Sequence, residues 1–257
     1  MNSHYLTGSK TFWSLLLIIV LRYLVLAFVA WLIYYVIRRK AWQFKKIQPQ
    51  FPAASDYLRE TGYSIVTAFI FAAVGYVIFV SPVAKYTMTY YTVSDYGVPY
   101  LLLSVVMMIV LHDTYFYWMH RAMHHRSIYR IVHRVHHLSL NPSPWAAMAF
   151  HPIEAFLETG ILIIVPFLFP VHPLAVGLFL LFMMIYNVYG HLGYEWYPAG
   201  FSRSRVGKWI NTSVNHNLHH QYFKGNYGLY FLFWDRLMGT LRTDYDDAFE
   251  QVQRTKQ

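Results

Sequence analysis

Residues 98–125 read VPYLLLSVVMMIVLHDTYFYWMHRAMHH, and this stretch decides the fold. Its first part is long and apolar enough to cross a bilayer, because about 20 apolar residues in a helix span the hydrocarbon core. Its last part carries His120 and His124, which are four residues apart and therefore share one face of a helix. The stretch predicts a membrane span from Val98 to Trp118 with a histidine pair just beyond its end.

The composition of the 257 residues argues against a soluble domain. Apolar residues make up 56% and charged residues only 13%, whereas about a quarter of an average soluble domain is charged. The chain has no cysteine, which excludes disulfides, thiolate metal sites, iron–sulfur clusters and cysteine nucleophiles. Any bound metal must therefore be held by nitrogen or oxygen, and the 14 histidines become the first candidates.

Four more apolar segments accompany this span, at 12–37, 63–80, 153–169 and 174–190. The last two are near the lower length limit, and the turn Pro170–Pro173 joins them, so they either cross fully or dip as a hairpin. We predict an all-α integral membrane protein, a bundle of about four to five transmembrane helices in one membrane domain, 1–257. A cytosolic, histidine-rich helical cap of residues 120–151 and 191–257 completes it.

The basic residues indicate how the chain is oriented. Of 21 Lys and Arg, 18 fall on one side: six between the first two spans, four between the third and fourth, and eight after the fifth. Only Lys10 and Lys85 fall on the other side, and Arg22 lies within a span. The positive-inside rule places the cap in the cytosol, in a plasma membrane if the source is bacterial or the endoplasmic reticulum if eukaryotic. This placement accounts for the net charge of +9 through anionic headgroups, without a nucleic-acid partner.

The histidines occur in three motifs, and the topology places all of them on one face of the membrane. His120 and His124 form the first, H-x-x-H-H at 133–137 the second, and the same pattern at 216–220 the third. On a helix, each H-x-x-H-H pattern would place its imidazoles on one face of a single turn. His191 follows the fifth span, with Asn187 one turn earlier. The predicted metal ligands are His120, His124, His133, His136, His137, His191, His216, His219 and His220.

Nine imidazoles exceed what one ion can use, so two metals with four or five nitrogen ligands each are predicted. Imidazole suits iron, copper, zinc and nickel alike. A redox metal is favoured because the reachable substrate is lipid, with no bond to hydrolyse, and paired iron with dioxygen could attack an unactivated C–H bond. Zinc is expected as a purification substitute.

Carboxylates are expected behind the ligands, since a ligating imidazole usually donates its other N–H to an acceptor. Asp113, seven residues before His120, is the predicted partner, and Asp235 is the next choice. Glu154 and Glu158 either orient ligands or cap a helix. Asn187 is either a ligand or a water-mediated contact.

The three motifs, in this order and between these spans, resemble the fatty acid hydroxylase and sterol desaturase superfamily of integral-membrane di-iron oxygenases. Two further stretches, 144–154 and 226–240, are similar to sterol desaturases acting on ring B and to alkylglycerol monooxygenase. The resemblance covers about residues 98–243.

The resemblance implies two irons, dioxygen and two electrons from an external donor, a ferredoxin-like protein or a small haem carrier with its reductase. It implies a lipid product that is hydroxylated or desaturated. The eight motif histidines map onto family ligands and His191 onto an additional one. Many relatives have a histidine at the position of Asn187, while acyl-CoA desaturases have a comparable asparagine that contacts iron through water.

Two rival functions make different predictions. A non-catalytic zinc or iron carrier needs ionisable residues near mid-bilayer, and spans two to five have few. A haem-binding electron carrier needs isolated histidines inside spans rather than clusters at one end. A sterol, a fatty acyl chain, an ether lipid and a carotenoid all remain compatible as substrate.

Overall fold

The computed structural model describes residues 2–254, with side chains from residue 8 onward, and this range is helical without a β-strand. The helices are α1 (Asn2–Trp31), α2 (Ala54–Phe79), α3 (Gly97–Met123), α4 (Tyr129–Val132), α5 (Pro152–Glu158), α6 (Gly160–Leu168), α7 (Pro173–Gly190), α8 (Ser213–Tyr222), α9 (Phe233–Leu237) and α10 (Tyr245–Arg254). A π-helical turn, Leu32–Ile37, extends α1. The all-α prediction is confirmed.

Four helices are long and apolar enough to cross a membrane: Gly8–Ile37, Ala54–Phe79, Gly97–Met123 and Pro173–Gly190. Their outer faces carry large exposed apolar side chains, such as Leu17, Val106 and Ile185. Such faces suit contact with lipid, since helices that are apolar all round are buried or span membranes. The predicted membrane class is confirmed.

The fourth apolar segment, 153–169, forms two short helices, α5 and α6, which meet at Thr159. Past the end of α6, the Val171 carbonyl accepts a hydrogen bond from the Tyr90 amide at 3.1 Å, in the loop between α2 and α3. The segment thus runs the length of the bundle in two pieces. We call the end with residues 80–96 and 169–173 the far end, and the end with residues 124–151 and 191–254 the histidine end.

Helices α2 and α3 extend beyond the polar boundaries predicted for their spans. The second span was predicted to begin at residue 63, but α2 begins at Ala54, because its polar first turns are paired. Asp56 lies 2.6 Å from Arg59, and Glu60 accepts hydrogen bonds from two serines. The third span was predicted to end at Trp118, but α3 continues to Met123 and carries His120 within it.

The segment between the second histidine motif and α5 is held against the membrane helices. The carbonyl of Trp145 accepts hydrogen bonds from Tyr23 of α1 at 2.9 Å and Ser64 of α2 at 3.2 Å. Met148 and Phe150 pack in one buried cluster with side chains of α1, α2 and α7. The bundle therefore anchors the segment that follows His137.

Candidate metal centre

The structure brings the nine predicted ligands together in two groups. The first group contains His120, His124, His133, His137 and His219, and the second contains His136, His191, His216 and His220. Within each group, one ligand atom per residue lies within 4.8 Å of all the others. All nine side chains are buried except that of His124, which is half-buried.

In both groups the Nε2 atoms point inward. In the first group, Nε2 of His120 lies 3.0 Å from that of His133, and Nε2 of His124 lies 3.1 Å from that of His219. In the second group, the distances between the Nε2 atoms of neighbouring histidines are 3.0 to 3.3 Å. Two nitrogens about 2.1 Å from a common metal, at right angles, lie about 3.0 Å apart. The spacing matches metal coordination.

Backbone carbonyls fix the tautomer of three of these rings through their outward-facing nitrogens. Nδ1 of His120 lies 2.9 Å from the Tyr227 carbonyl, that of His219 lies 2.7 Å from Gly225 O, and that of His191 lies 2.7 Å from Asn187 O. A carbonyl oxygen only accepts hydrogen bonds, so these Nδ1 atoms carry the protons and Nε2 carries a lone pair. Lone pairs converging at about 3 Å repel one another unless a cation lies between them. The donor set therefore fits one metal ion per group.

Burial favours the neutral imidazoles that metal binding requires. It lowers the pKa of His133 and His137 well below the ordinary value, and charge repulsion between neighbouring imidazoles lowers each pKa further. Burial also lowers the pKa of His191 to about 4. These rings are uncharged at neutral pH, as ligands must be.

Helix α8 contributes to both groups. Its N-cap residue Thr212 accepts the Asn215 amide at 3.2 Å, and the buried carboxylate of Glu195 accepts the Val214 amide at 3.1 Å. His216 and His220, which are four residues apart, face the second group, while His219 faces the first. The helix thus lies between the two sites.

The second motif also divides between the groups, which the sequence did not predict. A single helical turn was expected to keep the three imidazoles of such a motif on one face. The third motif lies on the continuous helix α8 and still divides between the groups, so that expectation is wrong for both motifs. In the second motif α4 ends at Val132 and a 3-10 turn begins at His136. His133 and His137 belong to the first group and His136 to the second.

Glu154 is the carboxylate that contacts a ligand. Its Oε1 lies 2.6 Å from Nδ1 of His133, and both side chains are buried. Glu154 was one of the two glutamates for which an orienting role and a capping role were left open. The contact favours the orienting role.

Asp113 was predicted to accept from an imidazole, but it accepts the backbone amides of Tyr230 and Phe231 at 2.8 and 3.1 Å. Seven residues of helix rise about 10 Å, so a shared helix face does not bring Asp113 to His120. Asp235 accepts the amide of Tyr227, whose carbonyl faces His120. Both aspartates thus act on the loop behind the first group.

Asn187 lies beside the second group. It lines a cavity of about 10 Å³ together with Gly190 and His216, and such a volume accommodates about one water. The second group has four imidazoles and the first has five. That Asn187 completes the second group, directly or through water, stays a prediction.

Sequence reasoning missed Glu60 and Glu195. Glu60 accepts Ser139 Oγ at 2.7 Å and Ser143 Oγ at 2.5 Å and so fixes the loop after His137. Those serines are 79 and 83 residues away, so no local pattern predicts the pairing. The one signal that the sequence offers is an acidic residue three positions before the predicted span at 63–80.

The other described histidines lie outside the two groups. His112 contacts the Tyr230 hydroxyl at 2.9 Å, His125 is exposed, and His151 caps α5. His172 lies at the far end, where it contacts the Tyr91 carbonyl. The side chain of His4 lies outside the described residues.

Comparison with known proteins agrees with this geometry. The fatty acid hydroxylase family model matches residues 105–240, which include all nine histidines of the two groups. A lathosterol oxidase of Homo sapiens is 35% identical over 147 residues, 57% of this chain and 48% of that protein. The lathosterol oxidase of Mus musculus is 34% identical over 176 residues, 67% of this chain and 56% of that protein.

A Delta(7)-sterol 5(6)-desaturase of Gibberella zeae is 32% identical over 164 residues, 64% of this chain and 49% of that protein. The chain spans about half the length of these curated relatives. No solved structure matches it. The family resemblance predicted from the histidine motifs is confirmed, and the chain belongs to the fatty acid hydroxylase family.

Proposed function

We propose that the chain is a membrane-bound non-haem di-iron oxygenase that hydroxylates or desaturates a C–H bond of a lipid with dioxygen and two external electrons. The convergence of imidazole Nε2 atoms, five in one group and four in the other, carries this proposal. The names of the relatives, lathosterol oxidase and sterol desaturase, support a lipid substrate of the sterol type.

The nine histidines would hold the two irons, one per group. Iron bound there would supply the activation of dioxygen. The chain itself orients the ligands. Glu154 forms a hydrogen bond with Nδ1 of His133. The carbonyls of Tyr227 and Gly225 accept hydrogen bonds from the Nδ1 atoms of His120 and His219. Each contact fixes a ring so that its lone pair is directed inward before a metal arrives.

An apolar layer adjoins both groups and supports a hydrocarbon substrate. The Phe116 ring lies 5.0 Å from that of His120, and the Phe150 ring lies 5.1 Å from that of His136. Both phenylalanines belong to one buried cluster with Met183 and Met184. These side chains exclude water and leave a lipid methylene, approaching from the bilayer, as the compatible reactant.

The electron donor is proposed to dock on the basic face beside the first group, on the cytosolic side. His124 is the most exposed of the nine ligands, and Arg126, Arg130, Arg134 and Lys224 are exposed around it. Such a face suits an acidic ferredoxin-like protein or small haem carrier, because complementary charge speeds docking.

The test uses the purified full chain with iron, a reductant and ¹⁸O-labelled dioxygen, together with lipid analysis of the producing cells. We expect oxygen uptake and a new hydroxylated or desaturated lipid. His219→Ala and His220→Ala each remove one group's ligand and should abolish both signals, while His172→Ala at the far end should retain them. Exchangeable zinc without oxygen uptake in the wild type would favour a metal carrier.

A further inference from the structure

A membrane cavity lies away from the histidines. It has a volume of about 430 Å³ and is lined by α1, α2, α6 and α7. Phe79 at the end of α2, Pro173 at the start of α7 and Tyr91 in the intervening loop border it, which places it toward the far end. Its lining is apolar apart from Arg22 and the Tyr91 hydroxyl.

Arg22 has no acceptor for part of its guanidinium. Its Nε and Nη2 atoms are buried and have no hydrogen-bond partner among the described residues. Arg22 lies near the middle of the span Gly8–Ile37, and about 20 Å of helix separates it from either end. The guanidinium stays charged, and an unpaired charge inside a membrane is costly.

The protein supplies no counter-ion in this cavity. None of its lining residues carries a carboxylate. The rest of the cavity lining is aliphatic and aromatic, with side chains such as Ile18, Phe71 and Leu180. An occupant that satisfies both features has one anionic group and a hydrocarbon body.

Two glycines keep the cavity open. Gly75 of α2 and Gly177 of α7 line it, and a Cβ added at either would meet nothing within 4 Å. The space beside them is therefore room for a ligand, and a larger side chain at either position would extend into it.

We propose that this cavity binds a long-chain carboxylic acid, with its carboxylate on Arg22 and its chain along α2 and α7. A carboxylate is an anionic group that pairs well with a guanidinium. A phospholipid would bring ester and headgroup oxygens, for which the lining offers the Tyr91 hydroxyl alone besides Arg22. The site is separate from the metal centre and goes beyond the proposed oxygenase function.

Native mass spectrometry of the full chain in a neutral detergent tests the proposed carboxylate site. Palmitate is the probe, and hexadecanol is the uncharged control of the same chain length. We expect one palmitate per wild-type chain and little hexadecanol. Arg22→Gln should weaken palmitate binding at least about tenfold, the change expected from losing a charge-assisted hydrogen bond. Arg38→Gln, at the histidine end of the same helix, should leave binding unchanged.

A second variant fills the cavity and keeps the charge. Gly177→Leu should abolish palmitate binding, while the metal content of the preparation reports independently on folding and on the histidine groups. Wild-type palmitate binding in either Arg22→Gln or Gly177→Leu would overturn the proposal. It would equally be overturned if phosphatidylglycerol, rather than palmitate, bound in an Arg22-dependent way.

Discussion

The carboxylate of Glu154 illustrates how a single residue prepares the site for a metal. It faces Nδ1 of His133 at 2.6 Å, so it fixes the tautomer and raises the electron density on Nε2. The Nε2 atom of His133 lies within 3.1 Å of those of His120 and His137. Glu154 thus acts on the first group through one imidazole.

Glu154→Gln should weaken metal binding at the first group by about 10- to 100-fold, the usual effect of losing a carboxylate behind a ligand. The amide keeps an acceptor oxygen but loses the negative charge, so the ring can stay oriented while its donor strength falls. Metal affinity measured by competition with a chelator checks this. Glu158→Gln, one helical turn later, is the matched control and should bind metal like the wild type. Equal affinity in the two variants would contradict the role of Glu154.

Asn187 makes a second prediction at this scale. Asn187→Leu fills the small cavity beside His216 with an apolar side chain and should lower metal occupancy of the second group. Asn187→His adds a nitrogen and should restore or raise it. X-ray absorption, which counts nitrogen and oxygen neighbours of the metal, distinguishes the variants. Unchanged occupancy in Asn187→Leu would mean that Asn187 takes no part in the site.

At the scale of elements, α8 couples the two groups, because it supplies His219 to one and His216 and His220 to the other. Thr212→Val removes the N-cap oxygen without changing size and should cost about 1 kcal/mol of stability. Metal should dissociate faster from both groups, because one helix holds ligands of each. Thermal unfolding and metal release measure the effect, and Thr212→Ser should behave like the wild type. Faster metal release from only one of the two groups would argue against the coupling.

The elements also show what a sequence can predict. Apolar length predicts α3 and α7 well, because lipid demands a minimum run of apolar residues. It misses the first turns of α2, where Asp56, Arg59 and Glu60 are paired within the fold. It also misses the division of both H-x-x-H-H motifs between the two groups, because the residues that complete each group come from segments distant in sequence.

At the scale of the whole molecule, the absence of cysteine makes the proposed orientation easy to test. Tyr86→Cys places a thiol at an exposed far-end position, and Leu140→Cys places one at an exposed histidine-end position. With the chain produced in a bacterial plasma membrane, a membrane-impermeant maleimide should label Tyr86→Cys in intact cells and Leu140→Cys only after permeabilisation. The unlabelled wild type is the control. The reverse pattern would contradict the proposed cytosolic donor.

We propose that two separate metal sites, each formed by histidine nitrogens, share one end of the membrane bundle. Iron content per chain in the purified, iron-reconstituted protein, combined with X-ray absorption, is the decisive measurement. We expect about two irons per chain, one per histidine group, each with mainly nitrogen neighbours. A folded chain that binds a single iron, or irons surrounded mainly by oxygen, would contradict it.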